Sequence, residues 1–371
     1  MFIAVIGSTA SGRQEIVDYL VKREGFTEAF IGKKLTREYL AGKPNEQANQ
    51  DQLKSVRFDS EQELLNYVTP RWREKFVTRD LDNTWAIQLF KQRPFFLLIA
   101  VNAPLRLRFS RKKQKREKLG LPAPDFEQFV DHDDTVMFEL HAKEQPIAIN
   151  ETMDFTFTEV NSPVPPLRAL RFQTLTLHDL ITLADVYISN TFSTVKDLHT
   201  HLAALNLTDP ERLRPSWDTY FMLLAELAAH RSNCMKRRVG CILVRDHQII
   251  ATGYNGTPKG IRNCNEGGCP RCNVGTPRGV SLDYCLCIHA EENALLEAGR
   301  GRVGADGNCV LYCNTCPCLG CAKKIVQVGV KEVVYSREYG MDELTAKLFK
   351  EANVIMRQHA HPSLKLDIHS F

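Results

Sequence analysis

Three short apolar runs in the first half of the chain predict buried strands. They span Phe2–Ile6, Pro94–Pro104 and Ala184–Asn190. Short apolar runs of this kind are typical of parallel strands that are covered on both faces. Helix-like segments follow the first and third runs, at Glu15–Lys22 and Val195–Leu205. This alternation predicts an α/β domain.

The remainder of this first domain carries weaker signals. The stretch from Gly42 to Thr84 is charged and its composition favours helix, with Trp72 and Trp85 as expected packing anchors. Asn161–Pro166 contains three prolines and is predicted to be a loop inside the domain. A boundary signal begins at Asp209-Pro210, so we predict a first domain at 1–208 and a second at 209–371.

The apolar pattern after residue 209 predicts a second α/β domain. Ser216 is a candidate N-cap for a helix that buries Trp217, Phe221, Leu224 and either Leu227 or Ala228. The predicted strands are Val239–Arg245, Gln248–Tyr254, Cys309–Asn314, Lys331–Ser336 and Val354–Gln358, and the predicted helices are Cys318–Gly329 and Asp342–Ala352. The first two strands form a hairpin around Asp246-His247. Strands joined by crossover helices make a three-layer α/β/α sandwich.

Composition narrows the class of protein. A hydrophobic content of 43% and a charged content of 25% are typical of a soluble globular protein. No run of about eighteen apolar residues is present, so we expect no membrane span. The apolar start has neither a basic lead nor a cleavage site, so we expect no signal peptide. A net charge of +4 is weak support for a polyanionic partner, and no nucleic-acid partner is expected.

The cysteines point to metal binding. All twelve lie between Cys234 and Cys321, and none occurs in the first 233 residues. In a chain without an export signal this clustering favours metal over disulfides and a cytosolic or nuclear location. Cys241, Cys309 and Cys313 fall in or beside predicted strands and are expected to be buried thiols. The segment Cys264–Cys272 carries three cysteines among glycine and proline residues, which favours a metal-binding loop over a core.

One constellation carries chemistry. His289, Cys318 and Cys321 could fill three tetrahedral positions on zinc and leave the fourth for water. Glu291 follows the histidine by two residues, so the two side chains can converge only in the first turn of a helix. The helix formers after His289 and the proline before Cys318 predict two helix N-termini that face one metal. A purely structural zinc site or a redox Cys-x-x-Cys is the alternative, but neither needs the glutamate.

His-x-Glu followed by Pro-Cys-x-x-Cys is the signature of zinc-dependent nucleobase deaminases. Within that group the second half of the chain resembles deoxycytidylate (dCMP) deaminases through five segments in the same order: Ser232-Asn233-Cys234, Arg238-Val239-Gly240, Thr252–Gly260, His289-Ala290-Glu291 and Pro317–Cys321. The resemblance implies a cytidine-deaminase-like fold, zinc on His289, Cys318 and Cys321, and Glu291 as the proton shuttle. It also implies hydrolysis of dCMP to dUMP for thymidylate synthesis.

The same resemblance assigns ligand contacts. Asn255 would bind the sugar hydroxyl, although a turn role is open because Asn-Gly pairs often make turns. Lys236, Arg237 and Arg238 are candidates to bind the 5′-phosphate, although a basic face beside a helix is the alternative for at least two of them, and Arg237 and Arg238 are the favoured pair. Tyr254, Gly256 and Gly260 would belong to a regulatory site where dCTP activates and dTTP inhibits, with Mg²⁺ accompanying the triphosphate. A homo-oligomer, a hexamer in the resembling enzymes, is implied as well.

A second, structural zinc is also implied by the resemblance. Members of the phage and bacterial branch hold it through positions that match Cys234 and Cys264. The other two ligands remain open among Cys269, Cys272, Cys285 and Cys287, with Cys272 and Cys287 favoured and a free thiol the alternative for each. We therefore expect two zinc ions per chain.

The first domain resembles small P-loop kinases of the nucleotide and dephospho-coenzyme-A type. Gly7 and Gly12 have the spacing of a loop that cradles phosphate between a strand and a helix. The basic stretch Arg106–Lys118 would correspond to the lid, or to a solvated surface. Arg13 and Gln14 replace the lysine and the magnesium-binding hydroxyl of that motif, so a catalytically degenerate domain is expected. A kinase-like domain before the deaminase domain is an organisation similar to that of the fungal branch of the deaminase family.

Two other functions remain possible at this stage. A deaminase acting on RNA or single-stranded DNA would need a basic groove with stacking side chains around its pocket. A non-catalytic zinc scaffold with a nucleotide-sensing first domain would have no use for Glu291. Release of ammonia from dCMP, cytidine or a cytosine oligonucleotide distinguishes the three.

Overall fold

The computed structural model describes residues 1–32, 55–81, 83–138, 175–277, 279–303, 308–338 and 342–360. The chain divides into two compact units, one comprising Met1–Leu213 and the other Arg214–Ser363. The predicted division after residue 208 lies close to this one. The predicted loop Asn161–Pro166 lies outside the described residues. Within the described part of the chain, no helix is both long and apolar enough to cross a bilayer.

The first unit alternates strands and helices. Its elements are, in order, β1 (Phe2–Gly7), α1 (Arg13–Glu24), β2 (Thr27–Ile31), β3 (Ser55–Phe58), α2 (Glu61–Val68), β4 (Phe76–Thr78), α3 (Thr84–Lys91), β5 (Phe96–Asn102), α4 (Leu105–Lys118), α5 (Phe126–Phe138), α6 (Leu177–Thr182), β6 (Val186–Ser189) and α7 (Val195–Leu205). Side-chain caps begin several helices, and Thr176 with Asp179 forms a full capping box at α6.

The six described strands of this unit form one parallel sheet in the order β3-β2-β4-β1-β5-β6. The central strand β1 is buried along its whole length. Phe2 and Ala4 pack into one core, whereas Ile3 and Val5 pack into another on the opposite face of the sheet. The predicted α/β class with parallel strands is confirmed, and the three predicted strands correspond to β1, β5 and β6. The expected burial is wrong for β6, because it is the edge strand and Tyr187 is 47% exposed.

The helical interpretation of the Gly42–Thr84 stretch is wrong in two places. Ser55–Phe58 and Phe76–Thr78 are strands. The second is only three residues long, too short to produce a periodic signal, yet it is buried beside β1. Trp72 is not a packing anchor, because 51% of its surface is exposed. Trp85 does pack against the core of this unit.

The second unit contains the elements α8 (Trp217–Ala229), β7 (Gly240–Arg245), β8 (Gln248–Tyr254), α9 (Pro270–Asn273), α10 (Ala290–Ala298), α11 (Arg300–Val303), β9 (Cys309–Thr315), α12 (Leu319–Val328), β10 (Glu332–Arg337), α13 (Asp342–Glu351) and β11 (Ile355–Gln358). The sheet order is β11-β10-β9-β7-β8. Strands β9, β10 and β11 are mutually parallel, whereas β7 is antiparallel to both β8 and β9. Asp246 and His247, with φ of 51° and 62°, form the hairpin turn.

Helices cover both faces of this sheet. Cys241 and Leu243 pack into a core with α10 and α12, whereas Ile242 and Val244 pack against α8 on the opposite face. This alternation is the one expected of strands in the middle layer of a sandwich. The predicted three-layer arrangement therefore agrees with the structure.

One expected burial in this unit is wrong. Phe221 on α8 is buried, but Trp217 is 52% exposed. Of the two alternatives Leu227 and Ala228, Ala228 packs against the core and Leu227 is 44% exposed. The buried side of α8 instead continues through Met222 and Ala225. Trp217 lies in the first helical turn and stacks on His247 of the hairpin, with ring centroids 4.5 Å apart. Its spacing suited a core position, but its ring packs on the hairpin turn and not on the sheet core.

Candidate active site

Helix α10 presents His289 and Glu291 at its N-terminus. His289 is the N-cap residue, with φ −77° and ψ 158°, and Glu291 lies in the first turn. Alanine, glutamate and leucine fill this helix, which ends before Gly299 at φ +67°. The two side chains are therefore neighbours at a helix tip, which is the arrangement that the His-x-Glu spacing predicts.

Helix α12 presents the two cysteines in the same way. Cys318 is its N-cap residue and Cys321 lies in the first turn. The helix begins at Leu319, one residue later than the predicted start at Cys318. The Pro317 carbonyl accepts a hydrogen bond of 3.1 Å from the Thr345 hydroxyl of α13, which fixes the chain just before Cys318. Nothing in the sequence pattern indicated this role for Thr345.

The structure brings the three predicted ligand atoms together. His289 Nδ1 lies 3.4 Å from Cys318 Sγ and 3.3 Å from Cys321 Sγ. One nitrogen and two sulfurs with mutual distances below 4.8 Å suit a single tetrahedral zinc ion with one open position. Two helix N-termini meet there, so their dipoles also favour thiolate.

The two cysteines share a proton unequally. Their mutual hydrogen bond lowers the pKa of Cys318 to about 3 and raises the pKa of Cys321. Cys318 also contacts the imidazole of His289, and that contact raises the histidine pKa to about 9. Both thiols and the imidazole must lose their protons to bind zinc, so metal affinity at this site falls as the pH is lowered.

Glu291 is buried beside these ligands. Only 4% of its surface is exposed, and burial raises the pKa of its carboxyl group to about 7. Its carboxyl is within hydrogen-bonding reach of Cys321. A carboxyl group whose pKa lies near neutrality can both accept and return a proton at physiological pH. This is the electrostatic environment expected of a general acid–base residue.

Strand β8 positions α10. A Cβ atom on Gly253 would lie 2.1 Å from the Ala290 carbonyl oxygen, so only glycine permits this approach. The Asn293 side chain of α10 donates a 3.0 Å hydrogen bond to the Tyr254 carbonyl. Gly256 and Ile288 exchange backbone hydrogen bonds of 2.8 Å and 3.2 Å. The backbone immediately before His289 is therefore tied to the end of β8.

Asn255 is buried and held by its neighbours. Its side-chain oxygen accepts hydrogen bonds from the Ser232 hydroxyl at 2.7 Å and the Val239 amide at 2.8 Å. Its amide nitrogen donates to the Arg237 carbonyl at 2.8 Å. The backbone of Asn255 is not among those with positive φ, and the hairpin turn lies elsewhere. One N–H of the side chain remains after these contacts, and nothing in the sequence pattern indicated that the Ser232 hydroxyl holds its oxygen.

The other predicted ligand residues lie in the segments on either side of β7 and β8, and they differ in exposure. Arg237 and Arg238 are exposed in the segment before β7. Tyr254 is half-buried at the end of β8, Gly256 is buried, and Gly260 is exposed with φ +93°. A Cβ atom on Gly256 would lie 2.4 Å from the side-chain oxygen of Asn233. The same oxygen accepts a 3.2 Å hydrogen bond from the Thr257 amide. The structure thus places the Gly256 segment against the Ser232–Cys234 segment.

The predicted structural-zinc cysteines also converge. The sulfur atoms of Cys234, Cys264, Cys272 and Cys287 all lie within 4.8 Å of one another. A second group with the same property comprises Cys269, Cys272, Cys285 and Cys287. All twelve cysteines of the chain are free of disulfides. Cys241, Cys309 and Cys313 are buried in the sheet, as expected.

In the first unit, the strand–loop–helix layout predicted around Gly7–Gly12 is present. β1 ends at Gly7 and α1 begins at Arg13, with Gly12 in the left-handed region at φ +110°. A Cβ on Gly12 would lie 2.3 Å from Asn190 Nδ2, which donates to the Ser11 carbonyl at 2.7 Å. The Ser11 hydroxyl is buried and has no partner.

A cavity of about 880 Å³ opens in front of this loop. Its lining is strongly basic and includes Arg13, Arg57, Arg79, Arg111, Lys112, Lys115, Arg116 and Lys118, against the acidic Glu15 and Asp80. Five of these cations belong to α4, the helix formed by the basic stretch Arg106–Lys118. Arg111 donates to the Phe192 carbonyl at 2.8 Å and to Asn190 Oδ1 at 3.2 Å, so this side of α4 faces the loop and not open solvent.

Comparisons with known proteins fit this geometry. Residues 215–337 match the cytidine and deoxycytidylate deaminase zinc-binding region. The chain is 42% identical over 364 residues to deoxycytidylate deaminase of Schizosaccharomyces pombe, which covers 97% of this chain and 98% of that protein. It is 43% identical over 302 residues to deoxycytidylate deaminase of Saccharomyces cerevisiae, which covers 81% of this chain and 86% of that protein.

A solved structure is similar to a smaller part of this chain. The dCMP deaminase of the cyanophage S-TIM5, in complex with dCMP and dUMP, is 32% identical and covers 38% of this chain and 94% of that chain, with a TM-score of 0.31. The zinc-binding match falls within the second unit, whereas the Schizosaccharomyces pombe protein matches almost the whole chain. By that full-length match, the chain belongs to the deoxycytidylate deaminase family.

Proposed function

We propose that this protein hydrolyses dCMP to dUMP and ammonia with a zinc ion held by His289, Cys318 and Cys321. The observation that carries the proposal is the meeting of these three ligand atoms at two helix N-termini, with the buried Glu291 beside them. Membership in the family supports the choice of substrate. The dUMP would feed thymidylate synthesis.

The donor set determines what the site can do. A histidine and two thiolates fit zinc and leave one coordination position for a water molecule. When bound, the metal supplies a water of lowered pKa as the nucleophile. The protein fixes the ligands through the Pro317–Thr345 hydrogen bond and the Gly256–Ile288 pairing. The ligands therefore need little rearrangement when substrate arrives.

Glu291 moves the protons. Its carboxylate takes a proton from the attacking water and delivers it to N3 of the cytosine ring. A second proton transfer through the same group lets the amino group at C4 leave as ammonia, so one water is consumed for each ammonia released. Burial of Glu291 keeps its pKa near 7, which suits a group that must alternate between acid and base.

The sugar and the 5′-phosphate of dCMP would be held by residues around β8. The remaining N–H of Asn255 would donate to the sugar hydroxyl, and its other contacts hold the side chain still. The exposed guanidinium groups of Arg237 and Arg238 would bind the 5′-phosphate, since arginine matches phosphate oxygens in pairs.

A substrate panel tests the proposal. Ammonia release is measured with dCMP, cytidine and a cytosine-containing oligonucleotide at equal cytosine concentration. We expect turnover with dCMP and little with cytidine, because the nucleoside lacks the phosphate bound by the two arginines. Turnover restricted to the oligonucleotide would instead indicate a polynucleotide deaminase, and no turnover with any of the three would indicate a zinc scaffold.

Regulation is proposed for the segment Tyr254–Gly260. As in the resembling enzymes, dCTP with Mg²⁺ would activate and dTTP would inhibit a homo-oligomer, a hexamer by resemblance. Gly256 links this segment directly to Ile288, next to the zinc ligand His289, so a ligand there has a short path to the site. We expect a sigmoidal dependence of rate on dCMP that dCTP makes hyperbolic and dTTP suppresses. Initial rates at fixed dCMP with either triphosphate measure this, and curves indifferent to both would contradict it.

For the first unit we propose a degenerate P-loop kinase-like domain that binds a phosphate-bearing ligand without transferring phosphate. The cradle Gly7–Gly12, the buried unpartnered Ser11 hydroxyl and the basic cavity favour an anion. Gln14 has no hydroxyl that could bind magnesium. Its side-chain nitrogen donates a 2.6 Å hydrogen bond to Asp18, and its side-chain oxygen accepts a hydrogen bond from Arg79. Phosphoryl transfer needs the missing lysine and hydroxyl, so binding can outlast catalysis.

We expect the full-length chain to bind ATP or inorganic triphosphate in calorimetry and to show no magnesium-dependent ATP consumption with nucleoside, nucleotide or dephospho-coenzyme-A acceptors. Arg111→Ala should weaken binding by about tenfold or more, since it removes one charge-assisted contact. Lys22→Ala removes the same charge from an exposed site outside the cavity and should leave binding unchanged. Turnover above background that Gly12→Val abolishes would show a second active site and contradict the proposal.

Structural zinc bound through Cys234, Cys264, Cys272 and Cys287 completes the proposed function. Reduced, metal-binding cysteines suit the cytosolic or nuclear location proposed for the protein. The burial of Cys264 and the convergence of the four sulfurs support this ligand set.

A further inference from the structure

The six cysteines Cys234, Cys264, Cys269, Cys272, Cys285 and Cys287, here called the cysteine cluster, form a small core of their own. Three of them are buried and three are packed against those, and all members of this core among the described residues are cysteines. Six small side chains bury too little apolar area to order the long loop that carries them. Metal–thiolate bonds can supply that missing stability.

We propose that the cysteine cluster holds two zinc ions, not one. The first ion would take Cys234 and Cys264, the second would take Cys269 and Cys285, and Cys272 and Cys287 would bridge both. The two four-sulfur groups in the structure have these memberships, and they share those two cysteines. Six cysteines around two zinc ions is an arrangement known from other protein modules.

Sulfur–sulfur distances support two tetrahedra with a common edge. The shared edge, Cys272 to Cys287, measures 3.9 Å. Cys272 lies 3.8 Å from Cys234 in the first group and 3.8 Å from Cys285 in the second. A tetrahedron with Zn–S bonds of about 2.3 Å has edges of about 3.8 Å. Disulfides would need about 2.05 Å, so these sulfur atoms are not bonded to one another, and their separations match the edges of zinc–thiolate tetrahedra.

A single ion does not account for this geometry. With one ion in the first group, Cys269 and Cys285 would be left as thiols 4.0 Å apart and directly against the bridging Cys272. With one ion in the second group, Cys234 and Cys264 would be the unused pair. Each unused pair lies next to Cys272 and Cys287 and forms a four-sulfur group with them.

Hydrogen bonds to sulfur occur on both halves of the cluster. The Met235 amide donates to Cys264 Sγ at 3.5 Å, and the Leu286 amide donates to Cys269 Sγ at 3.4 Å. The Asn273 side chain donates to Cys264 Sγ at 3.8 Å. Six thiolates around two Zn²⁺ leave a net charge of about −2, and N–H donors stabilise that excess charge.

The cluster lies on the chain that leads into the active site. Cys287 is followed by Ile288, which pairs with Gly256, and then by the zinc ligand His289. Cys234 belongs to the segment whose Ser232 hydroxyl holds Asn255. Two ions would cross-link these segments to the loop Cys264–Cys272 and fix both ends of the substrate site. The proposal concerns a separate metal site and holds whether or not the substrate is dCMP.

The test uses the full-length protein, saturated with zinc and freed of loosely bound metal. We expect about three zinc ions per chain by mass spectrometry, one from the candidate active site and two from the cluster. X-ray absorption at the zinc edge should show a Zn–Zn distance of about 3 Å, because two tetrahedra share an edge. The wild-type measurement does not depend on any variant that fails to fold.

Variants assign the ions. Cys285→Ala should lower the zinc content by about one ion and remove the Zn–Zn signal, and Cys264→Ala should do the same through the other half. Cys309→Ala is the control, because Cys309 is a buried thiol in β9 outside all three candidate metal groups, and its zinc content should stay at about three. Cys318→Ala should lose the active-site ion while keeping the Zn–Zn signal.

Two zinc ions per chain with no Zn–Zn signal, and no change in Cys285→Ala, would overturn the proposal. Failure of the proposed function looks different. In that case dCMP turnover would be absent although about three zinc ions and the Zn–Zn signal are present.

Discussion

Glu291→Gln is expected to keep its active-site zinc and to lose about 10²- to 10⁴-fold in kcat. The amide has the shape of the carboxyl group and can fill the same buried space, but it cannot accept or return a proton. Because proton transfer is made in the transition state, kcat should fall while KM changes little. Steady-state kinetics with dCMP, together with the zinc content of the pure variant, measure both effects.

Glu292→Gln is the matched control. Glu292 is the next residue in the same helical turn, but it is partly exposed and ion-paired to Lys324 at 2.5 Å. Exposed pairs of this kind contribute little, so its loss should alter kcat by no more than a few-fold. If Glu291→Gln keeps more than about a tenth of wild-type kcat, or if it loses zinc, the assignment of Glu291 as proton shuttle and non-ligand is wrong.

The geometry of this site could be predicted because it is encoded locally. His289 and Glu291 are two residues apart, and only a helix tip brings such a pair into one pocket. Cys318 and Cys321 repeat the arrangement at a second helix. The placement of the two helices against each other follows from contacts that spacing does not reveal, such as the hydrogen bond from Thr345 to the Pro317 carbonyl.

The cysteine cluster shows where spacing stops being informative. Its members come from three chain segments, around Cys234, Cys264–Cys272 and Cys285–Cys287. Spacing indicates a metal loop, but the choice of ligands depends on how these segments fold together. One tetrahedral zinc ion needs four ligands, so a sequence reading that assumes one ion selects four cysteines. It therefore does not consider that two cysteines can bridge two ions.

The fold was predicted best where burial is continuous. Strands β1 and β5 are buried on both faces and read directly as apolar runs. β3 escaped notice because it alternates exposed and buried positions over only four residues. The spacing does not show that Trp72 and Trp217 are exposed, because a large aromatic residue can lie on the surface against a few neighbours, such as Arg73 for Trp72 and His247 and Phe221 for Trp217.

Gly253→Ala is expected to lower kcat/KM by about 10²-fold although it changes no residue that contacts substrate. A Cβ at Gly253 would lie 2.1 Å from the Ala290 carbonyl oxygen and 2.5 Å from the Ala294 amide nitrogen. Both atoms belong to the backbone of α10, so no side-chain rotation relieves the overlap. The helix must move by about 1 Å or more, and it carries His289 and Glu291 at its tip. Overpacking of this kind also costs about 1–3 kcal/mol of stability.

Gly301→Ala is the control, because a Cβ there meets nothing within 4 Å and the backbone is not in the left-handed region. Kinetics are measured well below the unfolding transition of each variant, so that lost activity reflects displacement and not unfolding. Zinc content separates the two consequences of a shifted helix. A displaced Glu291 alone lowers kcat at full zinc occupancy, whereas a displaced His289 lowers zinc affinity. Retention of more than half of wild-type activity by Gly253→Ala would mean that the approach of β8 to α10 does not set the position of Glu291.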